Sequence, residues 1–157
     1  MSKWNPFSIL LVVLGLSIMP AASMAAGTHG TADEAKAMVQ RAVAYIKEVG
    51  AEKAFATIND KSNKMFHDRD LYVYVRTFDG NTVAHGSNVG MIGHTNLEFK
   101  DADGKLYVKE IVEKAKSAGT GWVDYRFPNP VSKKIEPKST YLERVGDYVV
   151  CAGFYKE

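Results

Sequence analysis

Between Gly121 and Tyr141 the chain reads GWVDYRFPNPVSKKIEPKSTY, which sets Trp122, Tyr125, Phe127 and Tyr141 beside Lys133, Lys134 and Lys138. An ammonium opposite a phenol is a sound receptor for a carboxylate, because charge-assisted hydrogen bonds are roughly twice as strong as neutral ones. Lys138 stands three residues before Tyr141 and is the candidate for that role. On the residues alone, a solvated lysine beside Lys133 and Lys134 is the commoner outcome, since Lys is rarely buried. A second group lies in LYVYVRTF, where Tyr72, Tyr74 and Arg76 alternate with Leu71, Val73 and Val75. Side chains at i and i+2 of a strand share a face. The aliphatic set suits a helix, which leaves Tyr72 and Tyr74 to line a pocket; Arg76, nearer the hairpin end, is as readily exposed. His85 could donate to a ligand oxygen or change charge near neutral pH, although a satisfied structural role is common for a lone His.

Other chemistries find little support. His29, His67, His85 and His94 show no zinc-site spacing, and DADG (101–104) lacks the later oxygen ligands of a calcium loop. It is better read as a tight turn. There is no Gly-x-Ser-x-Gly elbow, no phosphate-cradling Gly loop and no Cys-x-x-Cys-His for haem, so neither catalysis nor a cofactor is expected. Asp68 and Asp70 read as solvated loop charges, Asp being seldom buried. With 20 Lys and Arg against 18 Asp and Glu, the chain has no concentrated basic surface for nucleic acid. The single Cys151, in the apolar run DYVVCAGFY, reads as a buried, inert thiol.

These residues need a scaffold. Ala35, Met38, Val39, Ala42, Val43, Ile46 and Val49 recur at helical spacing behind a Thr31/Glu34 capping box, and Gly50 ends that helix. AEKAFATIND (51–60) reads as a second, shorter helix. LYVYVRTF and NTVAHG flank Asp79-Gly80, a strong hairpin signal. A helix from about Leu106 to Ala118 follows, and then three strands, GWVDYRF, STYLERV and DYVVCAGFY. Helices grouped apart from meander-like strands predict an α+β fold in one domain: a long N-terminal helix packed on a five- or six-stranded antiparallel sheet.

The first 25 residues carry Lys3, an apolar run from Phe7 to Met19, Pro20, and small residues at Ser23 and Ala25. This predicts a secretory signal peptide cut after Ala25, because the run is shorter than the roughly 20 residues that span a bilayer. The expected mature chain, 26–157, is then a soluble, exported, periplasmic protein.

The ordered motifs DLYVYVRTFDGNTVAHG, GMIGHTNLEFKDADGKLYVKEIVEKA, GTGWVDYRFPNP, EPKSTYLERV and DYVVCAGFY resemble those of the single Cache domains (type 2), PAS-like extracytoplasmic sensor modules of chemoreceptors and histidine kinases. The resemblance covers most of 35–156. It implies a PAS-like sheet and a small-molecule ligand such as a carboxylate, held on the face away from the long helix. It also matches Tyr125 and Phe127 to the family's aromatic pair, His85 to its His and Lys138 to its Lys, and so favours Lys138 over Lys133 and Lys134. The ligand-binding set is then Tyr72, Tyr74, His85, Tyr125, Phe127, Lys138 and Tyr141, with a membrane sensor kinase or chemoreceptor as listener. Family receptors tether this domain between membrane helices, whereas here a cleavable leader and an end just past the last strand are expected. The alternative is a ligand-free interaction module, its pocket filled by its own side chains and its long helix pairing with a partner or a second copy as a homodimer.

Overall fold

The computed structural model describes Met1 and residues 27–156; the expected signal peptide lies outside the described residues. The first helix, α1 (Ala32–Val49), starts at the predicted capping box. The Thr31 hydroxyl accepts from the Glu34 backbone N–H, and the Glu34 carboxylate accepts from that of Thr31 at 2.8 Å. Gly50 ends it at φ 84° and donates its N–H to the Ile46 carbonyl. Ala35, Met38, Val39, Ala42, Val43 and Ile46 form its buried stripe, so the periodicity read from the sequence is the packing face. The second helix, α2 (Ala51–Asn59), follows at once.

Six strands form one antiparallel sheet: β1 (His67–Asp68), β2 (Leu71–Thr77), β3 (Thr82–His85), β4 (Thr120–Pro128), β5 (Ile135–Val145) and β6 (Tyr148–Tyr155). The spatial order is β1-β2-β6-β5-β4, with β3 also paired to β2. The chain is α+β, as expected. The two-residue β1 has no counterpart in the sequence reading, since so short a bridge carries no periodicity. Between β3 and β4 come a 3-10 turn at Val89–Met91 and the helix α3 (Tyr107–Ser117). The DADG stretch is the predicted turn: Asp101 accepts backbone N–H groups from Asp103 and Lys105 on one oxygen and from Arg126 on the other. That pins the entry of α3 to β4.

The sheet has two apolar faces. Leu71, Val73, Val75, Tyr141, Val150 and Ala152 pack with α1 and α2. Tyr72, Tyr74, Val123, Tyr125, Leu142, Val149 and Cys151 pack with Tyr107, Val108, Ile111 and Ala115 of α3. The Cys151 thiol is fully buried, and burial pushes its pKa up to about 12, which keeps it protonated and inert. Among the described residues no helix is long and apolar enough to cross a membrane.

Candidate functional site

The α3 face of the sheet carries the candidate residues because strand register aligns them. Tyr125 on β4 pairs with Lys138 on β5, which pairs with Tyr155 on β6. Directly paired residues project to the same face, so phenol, ammonium and phenol form one row across three strands. The Lys138 side chain crosses β6: its Nζ donates to the Tyr72 hydroxyl at 2.7 Å and to the Tyr155 hydroxyl at 3.3 Å. Gly153 makes that crossing feasible, since a Cβ there would lie 2.6 Å from Lys138 Cε and 2.8 Å from the Ser139 carbonyl.

Lys138 is 1% exposed. Burial lowers its pKa from the usual lysine value to about 7, while the nearby negative charge of Asp70 acts in the opposite direction. Three rings surround the ammonium, with centroids 4.0 Å (Tyr72), 4.6 Å (Tyr155) and 5.6 Å (Phe127) from Nζ. Their π faces offset part of the desolvation cost.

His85 stacks on Tyr72 and Tyr74 at centroid separations of 5.0 and 5.6 Å. Its Nδ1 accepts the Asn88 backbone N–H at 3.0 Å and, more weakly, that of Ser87 at 3.3 Å. The neutral ring therefore carries its proton on Nε2, which remains a donor. Burial, with Lys138 and Arg76 adding repulsion, lowers its pKa to about 3. That shift speaks against a charge change near neutral pH, one of the two roles expected of His85, and leaves the donor role as the proposal.

Tyr74 and Tyr125 share a hydrogen bond at 3.2 Å, and the Tyr125 hydroxyl also meets Thr140 Oγ1 at 2.9 Å. Burial raises the pKa of both phenols well above the usual tyrosine value. Tyr107 of α3 stacks on Tyr125 at 4.3 Å and meets the Phe127 ring edge-on at 6.0 Å. Beside these rings lies a cleft of about 460 Å³ lined by Lys61, His85, Ser87, Asn88, Met91, Phe127 to Pro130 and Lys133; of the expected residues only His85 and Phe127 border it, whereas Tyr125 and Lys138 border a separate hollow of about 300 Å³ with Asp101, Lys105 and Asp124.

Six of the seven residues expected at the site are thus together, and Tyr141 is not. It packs in the α1 cluster beside Trp122, with Lys36 of α1 5.7 Å from its ring. The reason is strand parity: three residues separate it from Lys138, and an odd offset sends side chains to opposite faces. The phenols that meet Lys138 are instead Tyr72 and its cross-strand partner Tyr155, the latter absent from the expected set.

Two buried charges also depart from the sequence reading. Asp70 is fully buried rather than a solvated loop charge. It accepts from the Gly30 N–H at 2.7 Å and the Asn129 amide at 3.4 Å, and it bonds His29 Nδ1 at 2.8 Å. Those partners lie 40 residues or more away in sequence, so no local spacing marks it. Arg76, read as equally suited to solvent, is 2% exposed on the same sheet face as Tyr74.

The chain matches the family model described as Single Cache domain 2 over residues 3–157. Among curated proteins it is 30% identical over 91 residues, 57% of this chain and 20% of the relative, to the sensor histidine kinase MctS of Rhizobium johnstonii. It is 22% identical over 163 residues to the methyl-accepting chemotaxis protein McpP of Pseudomonas putida, covering 94% of this chain and 30% of the relative. The chain therefore spans less than a third of the length of these relatives. Among solved structures, the periplasmic sensor domain of a chemotaxis protein aligns at TM-score 0.63 and 25% identity, over 80% of this chain and 90% of that one. A Cache chemosensory domain solved to explain carboxylic acid recognition aligns at TM-score 0.67 and 21% identity, over 80% of this chain and 92% of that one. Ordered motifs, a two-faced antiparallel sheet and a match along nearly the whole sequence converge: the chain belongs to the single Cache domain 2 family of extracytoplasmic sensor domains.

Proposed function

We propose that this protein senses a small organic acid, holding its carboxylate on Lys138 with Tyr72, Tyr155 and the His85 Nε2–H as further donors, and reports occupancy to a membrane sensor kinase or chemoreceptor. Membership of the Cache family of extracytoplasmic sensor domains supports a ligand-binding rather than a catalytic role. The finer reading is carried by one observation: a fully buried ammonium ringed by hydroxyls, separated from an open cleft by the Phe127 ring that borders both. An anion arriving there repays the desolvation of Lys138 and replaces water with fixed donors. The carboxylic-acid-recognising domain of the same fold supports a carboxylate, and the two curated relatives, a sensor kinase and a chemotaxis protein, support the listener. Export through a cleaved leader, and a site made of Tyr72, Tyr74, His85, Tyr125, Phe127 and Lys138, belong to this proposal.

The competing reading, a ligand-free interaction module, is favoured by the bonds Lys138 already makes to its two phenols. A thermal-shift and calorimetric screen of two- to five-carbon mono-, hydroxy- and oxocarboxylates separates the two. At 100-fold excess over Kd a specific acid stabilises by about 2.7 kcal/mol, a rise in Tm of roughly 8 °C, and Lys138→Met abolishes it. No response to any acid favours the interaction module; a response unchanged in Lys138→Met overturns the site.

A further inference from the structure

Among the described residues, five buried side-chain N or O atoms have no hydrogen-bond partner, and four of them belong to one corner of the molecule: Arg76 Nε, Asn81 Oδ1, Asn96 Nδ2 and Asn96 Oδ1. Such atoms are rare in native interiors because each forfeits its hydration without replacement. Arg76 and Asn96 are 2% and 1% exposed. They converge on one carbonyl: the Gly80 oxygen accepts from Arg76 Nη1 at 3.1 Å and from the Asn96 backbone N–H at 3.3 Å. The other Arg76 contacts are the Thr82 hydroxyl at 3.0 Å and the face of Tyr74, 5.5 Å from the guanidinium carbon. Among the described residues no carboxylate pairs with it.

The contrast with Lys138 is informative. Lys138 can shed its proton to escape a buried charge, and it has Asp70 nearby. A guanidinium stays charged in proteins, so Arg76 keeps a full positive charge in the interior with only dipoles and a ring to offset it. A buried ion without its partner is strongly destabilising. The sequence nonetheless holds this one in place through the hairpin end, an Asn81–Thr95 bridge and the bonds Thr82 N to His94 O and Gly93 N to Thr82 O.

We propose that Arg76 and Asn96 form a second anion-receiving position on the ligand face, distinct from Lys138, which takes one carboxylate or a comparably small monovalent anion. Arg76 Nε–H and the Asn96 amide N–H are the unused donors that point to it; the two orphan carbonyl oxygens, of Asn81 and Asn96, take a water that enters with the anion. That carboxylate has two sources to be told apart: the second group of a dicarboxylate whose first group sits at Lys138, or a separate small anion.

The inference stands apart from the Lys138 reading, and so does its test. Sodium nitrate, a planar oxyanion, is titrated to 100 mM with ionic strength held by bulky HEPES sulfonate, and Tm is followed in wild type, Lys138→Met, Arg76→Met and Asn96→Leu. The expected rise is ~3 °C or more in wild type and in Lys138→Met. It is lost in Arg76→Met and at least halved in Asn96→Leu, which surrenders no existing side-chain bond and so keeps the test open should Arg76→Met fold poorly. Absence of the rise in wild type, its survival in Arg76→Met, or its loss in Lys138→Met alone overturns the proposal. Succinate against propionate then identifies the source. A tenfold preference for succinate that Arg76→Met removes means one spanning dicarboxylate; equal affinities alongside the nitrate response mean an independent anion.

Discussion

Lys138 on β5 and Tyr72 on β2 meet through a 2.7 Å hydrogen bond although neither strand pairs with the other and 66 residues separate them. The bond passes over β6 at Gly153, each partner is 1% exposed, and it joins the two strands that flank β6. Its chemistry is that of a buried cation held by neutral donors, and the expected consequences are measurable.

The first concerns pH. Lys138 has a folded pKa of about 7 because of burial, against about 10.4 for an unperturbed lysine. Between these values the unfolded chain binds the extra proton, so this group makes stability rise with pH from about 7 towards 10; below 7 its penalty is fully present. Denaturant titrations at pH 7 and 9 should show a gain on the order of 2 kcal/mol from this group, absent in Lys138→Met. A bound carboxylate favours the ammonium, so calorimetry at pH 8 in buffers of different ionisation enthalpy should record proton uptake on binding.

His85 should behave oppositely to an exposed histidine. With a pKa lowered to about 3 by burial, its ring stays neutral from pH 8 to 5, and its NMR signals should not titrate there. Its contribution to stability is present above about pH 6.5 and is lost as the pH falls towards 3, because the unfolded chain takes the proton first. An ordinary titration near pH 6.5 would contradict the buried, Nδ1-accepting ring.

Asp70 and its neighbour Arg69 clamp the entry to α1. Arg69 donates to the His29 carbonyl at 2.8 Å and to Glu34 at 2.6 Å, while Asp70 holds Gly30 and His29. Asp70→Ala leaves the buried Gly30 N–H without its acceptor and removes the carboxylate bonded to His29, while the Asn129 amide keeps Glu136, and should cost about 3 kcal/mol in urea unfolding. Hydrogen exchange should rise at Gly30 and in the first turn of α1.

Gly153→Ala tests the crossing of β6. The added methyl meets Thr140 Oγ1, Lys138 Cε and the Ser139 carbonyl, so it should destabilise by about 1–3 kcal/mol and displace Lys138 from the Tyr72 hydroxyl. Carboxylate affinity should fall at least tenfold while far-ultraviolet circular dichroism is retained. Unchanged affinity would place the ligand away from Lys138.

Local patterns were legible where one chain segment sets its own rules. The Thr31/Glu34 box, the stripe from Ala35 to Ile46, the Asp79-Gly80 hairpin and the alternation of Tyr72 and Tyr74 with Leu71 and Val73 all read directly, because capping, helical period and strand parity are short-range. Tyr141 obeys that same rule: its odd spacing from Lys138 puts it on the α1 face, whatever the chemical suitability of a phenol beside a lysine. Tyr155 carries no local mark of its own: it meets Lys138 through the register of β5 against β6, which a single strand does not reveal.

The amino-acid sequence by itself determined the order of every element longer than β1 and the 3-10 turn, the two-faced character of the sheet, the α+β class and the family. Only the tertiary structure decided which charges are buried: that Asp70 anchors the segment before α1, that Lys138 rests on Tyr72 and Tyr155, and that Arg76 lies inside without an acidic partner among the described residues. The division has a physical cause. Periodicity and capping are energies between residues a few positions apart, whereas the cost of burying a charge depends on everything folded around it, and for Asp70 and for the Lys138–Tyr72 bond those surroundings come from segments 40 or more residues distant.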